Sequence, residues 1–93
     1  MNIDTIKSAA VSLAARYPIS RITLFGSRAS GTNRNDSDVD LIIEFNAPVT
    51  LITLAAIRNE LEDMLSLDVD VIHGPLREGD MIEIGDKVVL YAA

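Results

Sequence analysis

Apolar residues recur along this chain with two different periods, and each change of period marks a new element. From Asn2 to Tyr17, the positions Ile3, Ile6, Ala10, Leu13 and Tyr17 come at three- and four-residue steps, which predicts an amphipathic helix. Asn2 or Asp4 can cap its start, and Pro18 forbids its continuation. Arg21–Phe25 is short and largely apolar and reads as a first strand. Between Asp38 and Phe45 the period drops to two. Asp38, Asp40, Ile42 and Glu44 share one face, while Val39, Leu41, Ile43 and Phe45 share the other. Asn46-Ala47-Pro48 breaks this second strand. Thr50–Leu65 returns to the helical period, with Leu51, Leu54, Ile57, Leu61 and Met64 or Leu65 as its buried stripe and Arg58, Glu60, Glu62 and Asp63 toward solvent. Ser66 and Leu67 then lead into a third strand ending at Val71-Ile72. Beyond Gly74, Pro75 suits the first turn of a short helix over Leu76–Ile84, followed by a strand or a partner-facing tail at Val88–Tyr91. The interval of about two dozen residues between strands two and three suits a helical crossover. The expected class is therefore α/β (α+β): a small mixed sheet of three to four strands flanked by helices.

Composition narrows this picture. Of the 93 residues, 48% are hydrophobic and 24% charged, which is globular rather than disordered. The length predicts one domain over residues 1–93, with a core small enough to gain from a partner. The sequence has neither an apolar run long enough to span a bilayer nor a basic-then-apolar leader, so a cytoplasmic protein is expected. The absence of cysteine excludes disulfides and cysteine-based zinc sites. His73 stands alone and reads as a loop residue. The net charge of −6 lacks the basic footprint that duplex nucleic acid requires, and only Arg28 and Arg34 bring positive charge toward Gly26-Ser27. An acidic surface points instead to a protein partner.

The chemistry lies between Leu24 and Phe45. Same-face neighbours on a strand are roughly 6.5–7 Å apart, so the carboxylates of Asp38 and Asp40 can converge on one cation or a close pair. Folding alone disfavours crowding negative charge in this way. A hard divalent cation removes the conflict, because magnesium takes one or two carboxylates plus phosphate oxygens. Just upstream, Gly26 follows an apolar strand, and Ser27–Ser30 can open a short helix that Gly31 ends. Free N–H groups at such a start attract anions, Gly26 permits close approach, and the Ser27 hydroxyl adds a donor. An anion cradle beside a cation site suits a metal-bound nucleoside triphosphate.

Competing motifs fail on particular residues. Gly26 and Gly31 have Walker A spacing, but Thr32 stands where the phosphate-binding lysine must be. Asp36, Asp38 and Asp40 mimic half of an EF-hand loop, yet Leu41 and Ala47 occupy its glycine and bidentate glutamate positions. No GxGxxG follows a strand. The bland alternative is that Asn33–Asp38 is merely a polar turn and Asp40 a solvated strand residue.

Gly26-Ser27, ten intervening residues and Asp38-Val39-Asp40 together resemble the signature of the DNA polymerase beta-like nucleotidyltransferases. The chain looks most like their smallest branch, the minimal nucleotidyltransferase (MNT) domains found as antitoxins beside HEPN toxins. That pattern includes a third carboxylate on a later apolar strand. Asp70, just before Val71-Ile72, is the better match, and Asp68 is the fallback. The resemblance implies magnesium-dependent transfer of AMP from ATP to a tyrosine of a HEPN-type toxin within a hetero-oligomer. It implies Asp38, Asp40 and Asp70 as catalytic metal ligands, Gly26 and Ser27 as phosphate binders, and Arg28 as a neutraliser of phosphate charge. Tyr17 reads as core, and Tyr91 as a packing or interface residue. The alternatives are a binding-only antitoxin that occludes its partner, and a small-molecule nucleotidyltransferase, which this length disfavours.

Overall fold

In the computed structural model, which describes residues 2–75 and 85–93, helix α1 spans Ile3–Ala14. The Asn2 side chain caps it by accepting from the Thr5 N–H at 3.0 Å. Ile6, Ala9, Ala10 and Leu13 form its buried face. The helix stops three residues short of Tyr17 because Pro18 biases the preceding residue away from helical geometry. The Arg16 and Tyr17 N–H groups both close onto the Leu13 carbonyl. Tyr17 still packs against the core, and its hydroxyl donates to Glu60 at 2.7 Å, with Arg16 on the other carboxylate oxygen at 2.6 Å. These bonds hold the Glu60 carboxylate below its usual range and raise the Tyr17 phenol.

Strand β1, Ile19–Phe25, begins two residues earlier than its apolar run suggests, because Ile19 finds a partner in Phe45. Helix α2 (Ser27–Ser30) follows, closed by Gly31 in the left-handed region at φ 78°. Strand β2 (Val39–Phe45) runs back antiparallel to β1. Helix α3 (Leu51–Leu65) is capped by Thr50, whose Oγ1 accepts from the Thr53 N–H. It crosses over to β3 (Val69–His73), which pairs parallel with β2. Strand β4 (Lys87–Ala92) pairs antiparallel with the other side of β1, so Val88–Tyr91 is a strand rather than a tail. The helix expected over Leu76–Ile84 lies outside the described residues.

The sheet order is β3-β2-β1-β4, a mixed four-stranded sheet of the class expected. Ile22, Leu24, Val39, Leu41 and Ile43 pack under Ile6, Leu13, Ile57 and Leu61 of the helices. Each such side chain contributes about 1.5–3 kcal/mol on burial. Tyr91 joins this core through its pairing with Ile22, so packing accounts for it. The stripe of α3 differs from expectation at its start. Leu51 and Ile52 are 83% exposed, and burial begins in earnest only at Ile57, continuing through Leu61 and Leu65. The first turn of α3 therefore projects past the core it was expected to cover. Thr23, Asp40, Ile42 and Glu44 occupy the opposite face of the sheet, where the candidate chemistry lies.

Candidate active site

The site sits where β1 ends and β2 begins. Antiparallel pairing sets Phe25 opposite Asp40, so the Gly26 turn passes directly over the Asp40 side chain. Gly26 has φ 77° and ψ −156°, a conformation that L residues avoid. A Cβ there would collide with Oδ2 of Asp40 and lie 3.3 Å from its Cγ. Glycine is thus required on two counts, and the second differs from the sequence expectation. The space beside its Cα holds the Asp40 carboxylate itself, which brings the start of α2 and the acidic cluster into contact.

Parallel pairing of β2 with β3 places Asp70 beside Asp40 in register, on the same face. The Asp40 carboxyl is raised above its ordinary range, first by burial, then by the charge of Asp70, by a hydrogen bond with Asp70 and by the charge of Asp38. Asp38 is exposed at the head of β2 and contributes to that field. Asp68, the fallback, is placed elsewhere. It lines a shallow depression with Asp36, Glu62, Ser66 and Leu67, and its backbone carbonyl accepts from the Val39 N–H at 2.9 Å.

Ser27, half-buried, leads α2, and its Gly26 cap has no side chain to occupy the helix start. Arg28 does not stand where a neutraliser of phosphate is expected. It is 4% exposed, and its guanidinium donates to backbone carbonyls of the following loop: Nε to Ser37 at 3.2 Å, Nη2 to Ser37 at 2.8 Å and to Asn35 at 3.2 Å. A planar fork of donors satisfies backbone acceptors well, which explains how a cation tolerates this burial.

Two cations that sequence reading passed over come to this face instead. Lys87 on β4 pairs with Phe25, and Arg21 on β1 pairs with Glu44. With Thr23, Ile42, Glu44, Pro75 and Val89 they line a pocket of about 220 Å³ further along the sheet. Nothing local marks Lys87, because its position depends on a pairing across some sixty residues.

The donor set fits a hard divalent cation. All three carboxylates offer oxygen only, and Asp40 and Asp70 stand in register so that the charge of Asp70 raises the Asp40 carboxyl, a repulsion that a cation relieves. Among the described residues no three His, Cys, Asp or Glu side chains are grouped so as to hold a metal ion by themselves. Magnesium does not need one, since substrate phosphates complete its shell.

Comparison with known proteins bears on family and fold. Residues 6–88 match the family model described as Nucleotidyltransferase domain. A Methanocaldococcus jannaschii relative named "Putative protein adenylyltransferase MJ0435" is 33% identical over 72 residues, 77% of either chain. The next two curated relatives are spanned for 61% of their length. A solved structure named "Structure of putative minimal nucleotidyltransferase" is 31% identical, with a TM-score of 0.76 and 95% of each chain covered. A complex of a tri-AMPylated Shewanella oneidensis HEPN toxin with its MNT antitoxin shares the fold at 16% identity and a TM-score of 0.71, covering 97% of this chain and 73% of that one.

Proposed function

Because this chain belongs to the nucleotidyltransferase-domain family, we propose that it is an antitoxin that transfers AMP from ATP to a tyrosine of a HEPN-type toxin and so silences it. The observation that carries this reading is the contact of Gly26 with Asp40, which strand pairing sets in register with Asp70. An anion-attracting helix start and a carboxylate cluster meet within one side chain's width.

Asp38, Asp40 and Asp70 would hold magnesium. When bound, the ion neutralises phosphate charge and aligns an in-line displacement. Ser27 and the first N–H groups of α2 would hold the outer phosphates. Asp70, on the β3 side of Asp40, accepts the proton of the incoming tyrosine hydroxyl. The tyrosine oxygen bonds to the α-phosphorus, the α–β phosphoanhydride breaks, and pyrophosphate departs. Preorganised charge around the phosphoryl group supplies most of the rate. The net charge of −6 fits a protein acceptor better than a nucleic-acid one.

The test is intact-mass measurement of a copurifying HEPN toxin after incubation with this chain, magnesium and each NTP in turn. One or more added AMP units with ATP, located on tyrosine by fragmentation, is the expected result. An unmodified toxin whose RNase is nevertheless inhibited would replace catalysis with occlusion.

A further inference from the structure

We propose that Arg28 is a positioning residue that sets the Asp38 carboxylate, and with it the distance between Ser27 and Asp38; this rests on the reading of Asp38 as a magnesium ligand. The side chain of Asp38 is exposed, yet the backbone on both sides of it is held. The Ser37 carbonyl shares a rigid peptide plane with the Asp38 nitrogen. Two guanidinium donors of Arg28 grip that carbonyl, at 2.8 and 3.2 Å. The next plane carries the Val39 N–H, which donates to the Asp68 carbonyl at 2.9 Å. With both flanking planes fixed, the Cα–Cβ direction of Asp38 is fixed too, and only its side-chain rotamer remains free.

The other end of the latch gives it a purpose. Arg28 lies in α2 immediately after Ser27, so the same side chain that pins Asp38 is anchored in the helix that leads with Ser27. The loop between them is otherwise bonded mainly to itself. The Arg34 N–H donates to Ser37 Oγ, and the Ser37 N–H to the Arg34 carbonyl. The third Arg28 bond, to the Asn35 carbonyl, fastens that unit to α2. Lysine cannot reproduce this, because one ammonium is a point donor whereas the fork reaches two carbonyls two residues apart. The proposal replaces a role in phosphate neutralisation with one in geometry.

The measurement is Mn²⁺ affinity by electron paramagnetic resonance, without nucleotide, for wild type, Arg28→Lys, Asp38→Asn and the double variant. Partners that orient metal ligands typically change affinity by about 10- to 100-fold, so Arg28→Lys should bind Mn²⁺ at least about 10-fold more weakly. That loss should vanish in the Asp38→Asn background, because the arginine acts through Asp38. Tyr17→Phe, which loses a bond on the far side of the core, serves as a destabilised control whose affinity stays unchanged. Wild-type affinity in Arg28→Lys, or an equal loss with and without Asp38, would overturn the proposal. Equal affinity of wild type and Asp38→Asn would instead sink the metal assignment beneath it. Should Arg28→Lys not fold, amide order parameters of the metal-free wild type decide. Asn35–Asp38 should show values of about 0.85, as in rigid backbone, and values below about 0.6 would refute the latch.

Discussion

Replacing Asp40 by asparagine should stabilise the metal-free protein and abolish its response to magnesium and ATP. Asp40 stands in register with Asp70 and feels the charges of Asp70 and Asp38. Asp38 and Asp40 are same-face neighbours on one strand, and unit charges about 6 Å apart repel by about 2–3 kcal/mol at an effective dielectric near 20. Partial exposure and salt reduce this to about 1 kcal/mol. For a domain of this size that corresponds to about 4–8 °C in Tm. The pH dependence follows from the upward shift. A carboxyl whose folded pKa is raised contributes stability that is complete below the unfolded value and is lost as pH rises through the folded one. Wild type should therefore fall away from Asp40→Asn as pH climbs from the ordinary carboxylate range through the raised folded value, and the two should converge in acid. Magnesium with ATP at 100 times Kd adds about 2.7 kcal/mol to wild type alone, which reverses the order. The assay is thermal unfolding of both proteins across pH in EDTA, and at neutral pH with millimolar magnesium and ATP. A variant less stable than wild type in EDTA, or a wild type indifferent to magnesium and ATP, would refute the reasoning and favour a solvated polar turn.

Gly26→Ala must hold a positive φ and push the Asp40 carboxylate aside, so it should cost about 1–3 kcal/mol in urea unfolding and lower AMP transfer further than that instability explains. Ser27→Ala should leave unfolding unchanged while transfer or nucleotide affinity falls about 10- to 150-fold, the worth of one donor to a charged group at about 1.5–3 kcal/mol. Asp70→Asn should abolish the mass shift on the toxin yet leave the complex copurifying, whereas Asp68→Asn should transfer nearly as wild type; a larger loss at Asp68 would reverse the assignment.

Much of this site could be read from the chain because its parts are local. The period-two stretch after Asp38 fixes which residues share a face, and Gly26, Gly31 and Pro18 act through their own backbones. Those constraints need no partner, so the strand carrying Asp40, the short α2 and the capped start of α1 all stand in the structure as the pattern predicts. Asp70 was distinguishable from Asp68 only by its apolar neighbours. What sets it beside Asp40 is the parallel register of β2 and β3, decided jointly by the α3 crossover and the packing of Val39 and Val69.

Where reading by residue type failed, a distant partner set the outcome. Leu51 lies in phase with the α3 stripe, but period says which side of a helix is apolar and not how far the core beneath extends. Arginine beside a phosphate-binding serine suggests charge neutralisation, yet the Arg28 fork meets the carbonyls of Asn35 and Ser37 once the loop folds over it. Lys87 reaches the face of Asp40 because β4 pairs with β1. Sequence thus determined the kinds of groups, their local backbone and the faces they share. Tertiary pairing decided which carboxylates meet, which arginine is buried, and the second reason Gly26 must be glycine, since each of these depends on a neighbour that strand pairing or loop closure brings in.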